Sequence, residues 1–131
     1  MGEPAVRLTG GEWNVLACLW EKSPQSVMQL VGELERRVGW SKSTTITTLR
    51  RMEHKGLVYS QSAGRGKLYT PAVDQEQAVV AETQSFLQRV YRGSVGLMMS
   101  SMARRQELTQ EDLEQLRAIL AEAEKEDPPC S

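Results

Sequence analysis

WSKSTTITTLRRMEHKGLVYSQSAGRGKLYTP, residues 40–71, is the stretch that decides the fold. Ser41 is a helix-start residue, the segment from there to Lys55 holds no breaker, and Gly56 is the αL-tolerant residue that commonly follows a helix. Beyond it come Leu57 to Ser60, the polar glycine-rich run Gln61 to Lys67, and Leu68 to Thr70 before Pro71. This order predicts a β-hairpin with a basic tip. Pro71 suits a strand end, because it cannot donate a ladder hydrogen bond.

At 100° per residue, Thr45, Leu49 and Met52 fall on one side of the helix with Thr48 near them. Ser43, Thr47, Arg50, Arg51 and His54 fall on the other, with Thr44 at the flank. An outer face of short hydroxyls and arginines suits a helix lying in a DNA major groove. Hydroxyls reach base edges or phosphates without bulk, Arg can bond guanine bidentately, and the exposed side of Ile46 can touch a thymine methyl. Residues 40–71 hold Lys42, Arg50, Arg51, Lys55, Arg65 and Lys67 against Glu53 alone, a net +5. The chain as a whole carries −1, but residues 1–71 carry +4 and residues 72–131 carry −5. Such clustering is the electrostatic footprint expected for phosphate binding.

Upstream, Thr9 and Glu12 have capping-box spacing and open a helix with Trp13, Leu16, Ala17 and Trp20 on one stripe. Ser23-Pro24 breaks it. Ser26 with Gln29 caps a second helix whose Val27, Leu30, Val31, Leu34 and Val38 share a face, and Gly39 ends it. Three helices followed by a hairpin form a winged helix, with the hairpin as the wing. Arg65 and Lys67 then sit on a glycine-flanked loop able to approach the sugar-phosphate backbone or a narrow minor groove.

Downstream, Asp74 with Gln77 starts a long helix with Val79, Thr83, Phe86 and Val90 on one stripe and Leu87 and Tyr91 beside it, ending at Gly93. A short segment, Val95 to Met102, contains Leu97, Met98 and Met99, and a last helix from Thr109 carries Leu113, Leu116, Ile119 and Leu120. These helices offer little core of their own, so pairing with a second copy is the expected way to bury their stripes. The expected class is mainly α with a small β-hairpin: a winged helix-turn-helix DNA-binding domain over 1–72, a helical dimerisation domain over 73–127, and a disordered tail over 128–131. No apolar run reaches the ~20 residues that span a bilayer, and the N-terminus has no secretion core, so a cytoplasmic protein without membrane insertion is expected. Cys18 and Cys130 share no disulfide or metal spacing, and no metal or cofactor is expected.

TGGEWNVLACLW (9–20), WSKSTTITTLRRMEHKGLV (40–58), RGKLYTP (65–71) and FLQRVYRGS (86–94) together resemble the penicillinase and methicillin-resistance repressor family (BlaI/MecI), with the related copper-responsive repressors. The resemblance covers about residues 6–125. Trp40-Ser41, the Thr44 and Thr47 pair, Arg51, Lys55-Gly56 and the Phe86 to Gly93 motif are its most specific pieces. It implies a homodimeric repressor at a two-fold symmetric, palindromic operator. Lys42, Ser43, Thr44, Ile46, Thr47, Arg50, Arg51, Arg65 and Lys67 would meet double-stranded DNA. Val79, Thr83, Phe86, Leu87, Val90, Tyr91, Met98, Leu113, Leu116 and Leu120 would form the dimer. It also implies control of antibiotic resistance and relief of repression by a sensor-linked protease that cuts the short fifth helix. The matching bond here is Ser101-Met102, where the family has Asn-Phe. The copper branch carries paired cysteines near its C-terminus, whereas this chain has only Cys130, so copper induction is not expected.

Catalysis lacks a constellation: His54 is the one histidine, and Gly64-Arg65-Gly66-Lys67 is too short for a phosphate-binding P-loop. A winged helix that binds protein rather than DNA is the main alternative. Redox sensing through Cys18 is a third, and it requires an accessible thiol.

Overall fold

The computed structural model describes residues 7–126. In chain order they form α1 (Gly10–Glu21), β1 (Gln25–Ser26), α2 (Val27–Val38), α3 (Lys42–Lys55), β2 (Val58–Ala63), β3 (Gly66–Pro71), α4 (Gln75–Tyr91), α5 (Val95–Arg104) and α6 (Gln110–Glu126). The expected mainly-α fold with a winged helix-turn-helix is present. The chain divides into two compact units, Met1–Gln84 and Ser85–Ser131.

Side-chain caps fix the helix starts. Thr9 Oγ1 accepts from the Glu12 N–H at 3.1 Å while Glu12 Oε1 accepts from the Thr9 N–H at 2.9 Å. Ser26 and Gln29 repeat the exchange at the head of α2, and Thr109 and Asp112 at the head of α6. Asp74 accepts from the Gln77 N–H, and Ser94 caps α5. Gly39 and Gly56 end α2 and α3 at φ 73° and 82°. At Gly56 the Leu57 N–H reaches Met52 O and the Gly56 N–H reaches Glu53 O, the two bonds of a Schellman end.

The core of the first unit joins Val15, Leu16, Cys18 and Leu19 of α1, Leu30 and Leu34 of α2, Leu49 and Met52 of α3, Val58 of β2 and Tyr69 of β3. Each fully buried leucine or methionine here contributes about 1.5–3 kcal/mol. This corrects the expected α1 stripe. Trp13, Ala17 and Trp20 are only half-buried, and Trp13 meets Trp20 edge to face at 5.3 Å while Trp20 Nε1 donates to Val73 O. Because α1 is apolar nearly all round, core residues lie on either side of the expected line. Val38, assigned to the buried face of α2, is exposed in the last position before Gly39.

A second correction concerns the sheet. It has three antiparallel strands in the order β1-β3-β2, not two. Gln25 and Ser26 pair with Tyr69 and Leu68, and the buried Gln25 amide donates to Cys18 O and Lys22 O, satisfying carbonyls at the end of α1. The wing also differs from the expected long loop. β2 and β3 pair from Val58↔Pro71 to Ala63↔Gly66, so only Gly64 and Arg65 form the turn. Gly64 has φ 60°, the positive angle demanded of the first linking residue in a type II′ hairpin.

Among the described residues of the second unit no side chain is fully buried. Phe86 packs edge to face on Tyr91 at 6.0 Å, yet Phe86, Val90, Val95, Leu97, Ile119 and Leu120 remain exposed. Cys130 and the predicted tail lie outside the described residues.

Glu12 closes the first unit electrostatically. It is 3% exposed, and its Oε2 lies 2.5 Å from Lys55 Nζ at the far end of α3. Burial works against its charge, but the Lys55 ammonium and the Thr9 N–H outweigh it and hold the carboxyl below its ordinary value of 4.5. A carboxylate depressed on folding adds stability above its unfolded pKa, and that stability is lost as pH falls through the folded value. Glu12→Gln is therefore expected to cost about 1–2 kcal/mol at neutral pH. Urea unfolding of both proteins across a pH series checks this: the gap should close in acid, and a gap independent of pH would contradict the charge role.

Candidate nucleic-acid interface

Helix α3 is held by its inner stripe, which leaves its outer face displayed. Thr45, Leu49 and Met52 are buried, as the periodicity predicts. One stripe at positions 45, 49 and 52 turns Lys42, Ser43, Thr47, Arg50, Arg51 and His54 outward, and all are exposed. Thr44 is exposed and Ile46 half-buried at the edge of that face.

Hydroxyls at the head of α3 serve the helix as well. Ser41 Oγ accepts from the Thr44 N–H at 3.2 Å and donates to Thr44 Oγ1 at 3.0 Å, with Ser43 Oγ 3.2 Å away. Thr48 Oγ1 donates to Thr44 O at 2.8 Å. Thr47 is engaged in none of these bonds, which leaves its hydroxyl available to an external partner.

The wing carries its cations on a paired ribbon. Arg65 is the exposed second turn residue, and Lys67 lies within β3 opposite Ser62, not on the turn as the sequence suggested. Alternation along β3 puts Lys67 on the same face as the buried Tyr69, and along β2 puts Ser62 on the same face as Ser60 and the buried Val58. Lys67 therefore projects from the side of the wing that packs on the core.

Ion pairing sorts the basic residues, which charge counting could not do. Lys55 is committed to Glu12, Arg36 to Glu33, and Arg37 to both Glu21 and Glu33. Among the described residues Lys42, Arg50, Arg51, Arg65 and Lys67 make no ion pair. The basic cluster available to an anionic partner is thus these five, without Lys55.

Residues expected to join two copies divide by exposure. Val79, Thr83, Phe86, Val90 and Leu120 are exposed, while Leu87, Tyr91, Met98, Leu113 and Leu116 are half-buried. Ala78, which the stripe reading passed over, is the buried residue of α4. Ser101 and Met102 are half-buried inside α5, where their carbonyls accept from the Arg105 and Glu107 N–H groups.

Comparison with known proteins gives a consistent picture. A family model described as penicillinase repressor matches residues 8–122. The chain is 28% identical to the penicillinase repressor of Bacillus licheniformis over 116 residues, 88% of this chain and 91% of the relative. It is 23% identical over 120 residues to the methicillin resistance regulatory protein MecI of Staphylococcus aureus strain N315, covering 92% of this chain and 98% of that one. Among solved structures, the monomeric form of Bacillus licheniformis BlaI in complex with the blaP half-operator superposes with a TM-score of 0.50 at 27% identity. That match covers 56% of this chain and 90% of the other.

Cys18 stands apart from this face. Its side chain is buried in α1, and burial pushes its thiol up, which disfavours the thiolate that oxidation needs. In a Cys130→Ser variant, which leaves Cys18 as the one thiol, Ellman's reagent should react only after unfolding in urea. Rapid reaction of the folded protein would restore the redox reading.

Proposed function

The chain belongs to the penicillinase repressor family, and from that premise we propose that it is a DNA-binding transcriptional repressor without enzymatic activity, acting in the cytoplasm as a homodimer on a palindromic operator. The observation that carries the reading is the displayed face of α3. It sets Thr47 with Lys42, Arg50 and Arg51, which make no ion pair among the described residues, beside a wing that adds Arg65 and Lys67. In this reading α3 enters the major groove, where Ser43, Thr44, Ile46, Thr47 and Arg50 read base edges. Arg51, Arg65, Lys67 and Lys42 hold phosphates. The half-operator complex of the Bacillus licheniformis protein supports this use of the fold.

The dimer reading is supported by the second unit, which among its described residues buries no side chain fully. Residues 1–72 would form the DNA-binding part and 73–127 the dimerising part. Phe86, Val90 and Leu120, at 39%, 50% and 61% exposure, leave apolar area in water that a second copy would cover. Joining two reading heads converts the second binding event into an intramolecular one. Relief of repression is assigned to proteolysis in the C-terminal unit at Ser101-Met102 by a sensor-linked protease. Since both residues lie within α5, cutting there requires that helix to open first.

The reading is tested by measuring affinity for duplex DNA across a salt series. The logarithm of the affinity should fall steeply with the logarithm of salt, and Lys67→Ala should flatten the slope by about 0.9, the release of one phosphate contact. A flat response in the unaltered protein would transfer the face to a protein partner. In analytical ultracentrifugation Phe86→Asp should convert dimers to monomers, and an intact, tightly binding dimer would refute the assignment of α4.

A further inference from the structure

One acidic side chain interrupts the basic face. Glu53 is the only carboxylate in residues 40–71, and it lies on α3 between Arg50 and His54, with which it lines a shallow surface depression. A negative charge there opposes DNA binding unless it does something else, because like charges repel phosphates. Its contact answers the question: Ser60 Oγ, on β2, donates to Glu53 Oε2 at 2.7 Å in a half-buried setting. This is a charge-assisted hydrogen bond from the wing to α3. Ser60 pairs with Tyr69 in the sheet, and two pairs further along, past Gln61 and Leu68, Ser62 faces Lys67 on the same side of the ribbon. The bond thus lies two cross-strand pairs from the lysine whose position it would set, on the same face of the ribbon.

We propose that Glu53 and Ser60 are positioning residues that latch the wing to α3, fixing the distance between the Lys67 ammonium and the displayed side chains of α3, so that both elements meet the DNA as one rigid surface. The inference rests on the DNA-binding reading and adds to it. Tyr69 in the core and the pairing with β1 already hold β3 at this level, and the Glu53–Ser60 bond adds a tie from β2 to α3, so that both strands are in place before binding and less ordering is left to cost affinity. Glu53 accordingly tolerates its unfavourable charge near DNA because it acts through Ser60 and Lys67 and touches no phosphate.

The test uses the full chain and the tightest duplex recovered from a random oligonucleotide pool. Ser60→Ala removes the donor without changing net charge. It should weaken binding roughly three- to tenfold, the worth of one such bond, and flatten the salt dependence as Lys67→Ala does, while thermal unfolding stays near that of the unaltered protein. Ser60→Thr, which keeps the hydroxyl, should restore both affinity and slope. In the Lys67→Ala background Ser60→Ala should have no further effect, because the contact it positions is gone. Unchanged affinity, weakening with an unaltered salt slope, or simple additivity with Lys67→Ala would overturn the latch. If the unaltered protein binds no duplex at all, the DNA-binding reading itself fails, a result distinct from each of these.

Discussion

The pairing of the buried Glu12 carboxylate with Lys55 fixes α3 in the first unit. Glu12 begins α1, where it also closes the capping box, and Lys55 ends α3, so one ion pair ties the start of one helix to the finish of another. A charge buried to this degree is tolerated only when its lone pairs are satisfied, and here a backbone N–H and an ammonium do so. With its C-terminal end held in this way and its Thr45, Leu49 and Met52 stripe in the core, α3 has one rotation about its axis that satisfies both. The outward face follows from that rotation.

The same pair divides the cations by role. Lys55, Arg36 and Arg37 answer carboxylates within the first unit, and of the six basic residues in 40–71 the five without an ion pair among the described residues lie on α3 and the wing. This explains how a chain with net charge −1 can present a phosphate-binding surface: the compensating acids lie mostly beyond residue 71. The second unit carries most of those acids, and among its described residues no side chain is buried, so its apolar stripes stand in water unless a partner covers them. In the proposed dimer, operator affinity would be coupled to dimerisation, and damage to the second unit would be felt at the DNA even with the first unit intact.

Most of the architecture was legible in the sequence because it is written in local chemistry. Thr9 with Glu12, Ser26 with Gln29, and Gly56 act within a few residues of themselves, and the 3.6 period of α3 needs no tertiary knowledge. What escaped the reading depends on partners distant in the chain. Gln25–Ser26 becomes a strand only because Tyr69 and Leu68 lie beside it, and two residues carry no periodicity. Lys55 looked like one more cation of the basic cluster until Glu12, 43 positions away, claimed it. The polar run Gln61 to Lys67 resembled a loop, since neither Gln61, Ser62 nor Ala63 favours a strand; its ladder is set by the tight Gly64-Arg65 turn. Ala78 is small enough to disappear from a stripe of larger apolar residues, yet it is the buried contact of α4.

Selection of bound duplexes from a random oligonucleotide pool tests the central claim most directly, since it asks the α3 face and the two-fold assembly the same question. The account predicts recovery of an inverted repeat whose half-sites are spaced by about one helical turn, roughly 10 base pairs, or a multiple of it, so that two α3 helices enter successive major grooves on one side of the duplex. Recovery of no enriched sequence, or of a lone half-site bound by a single protomer, would contradict it.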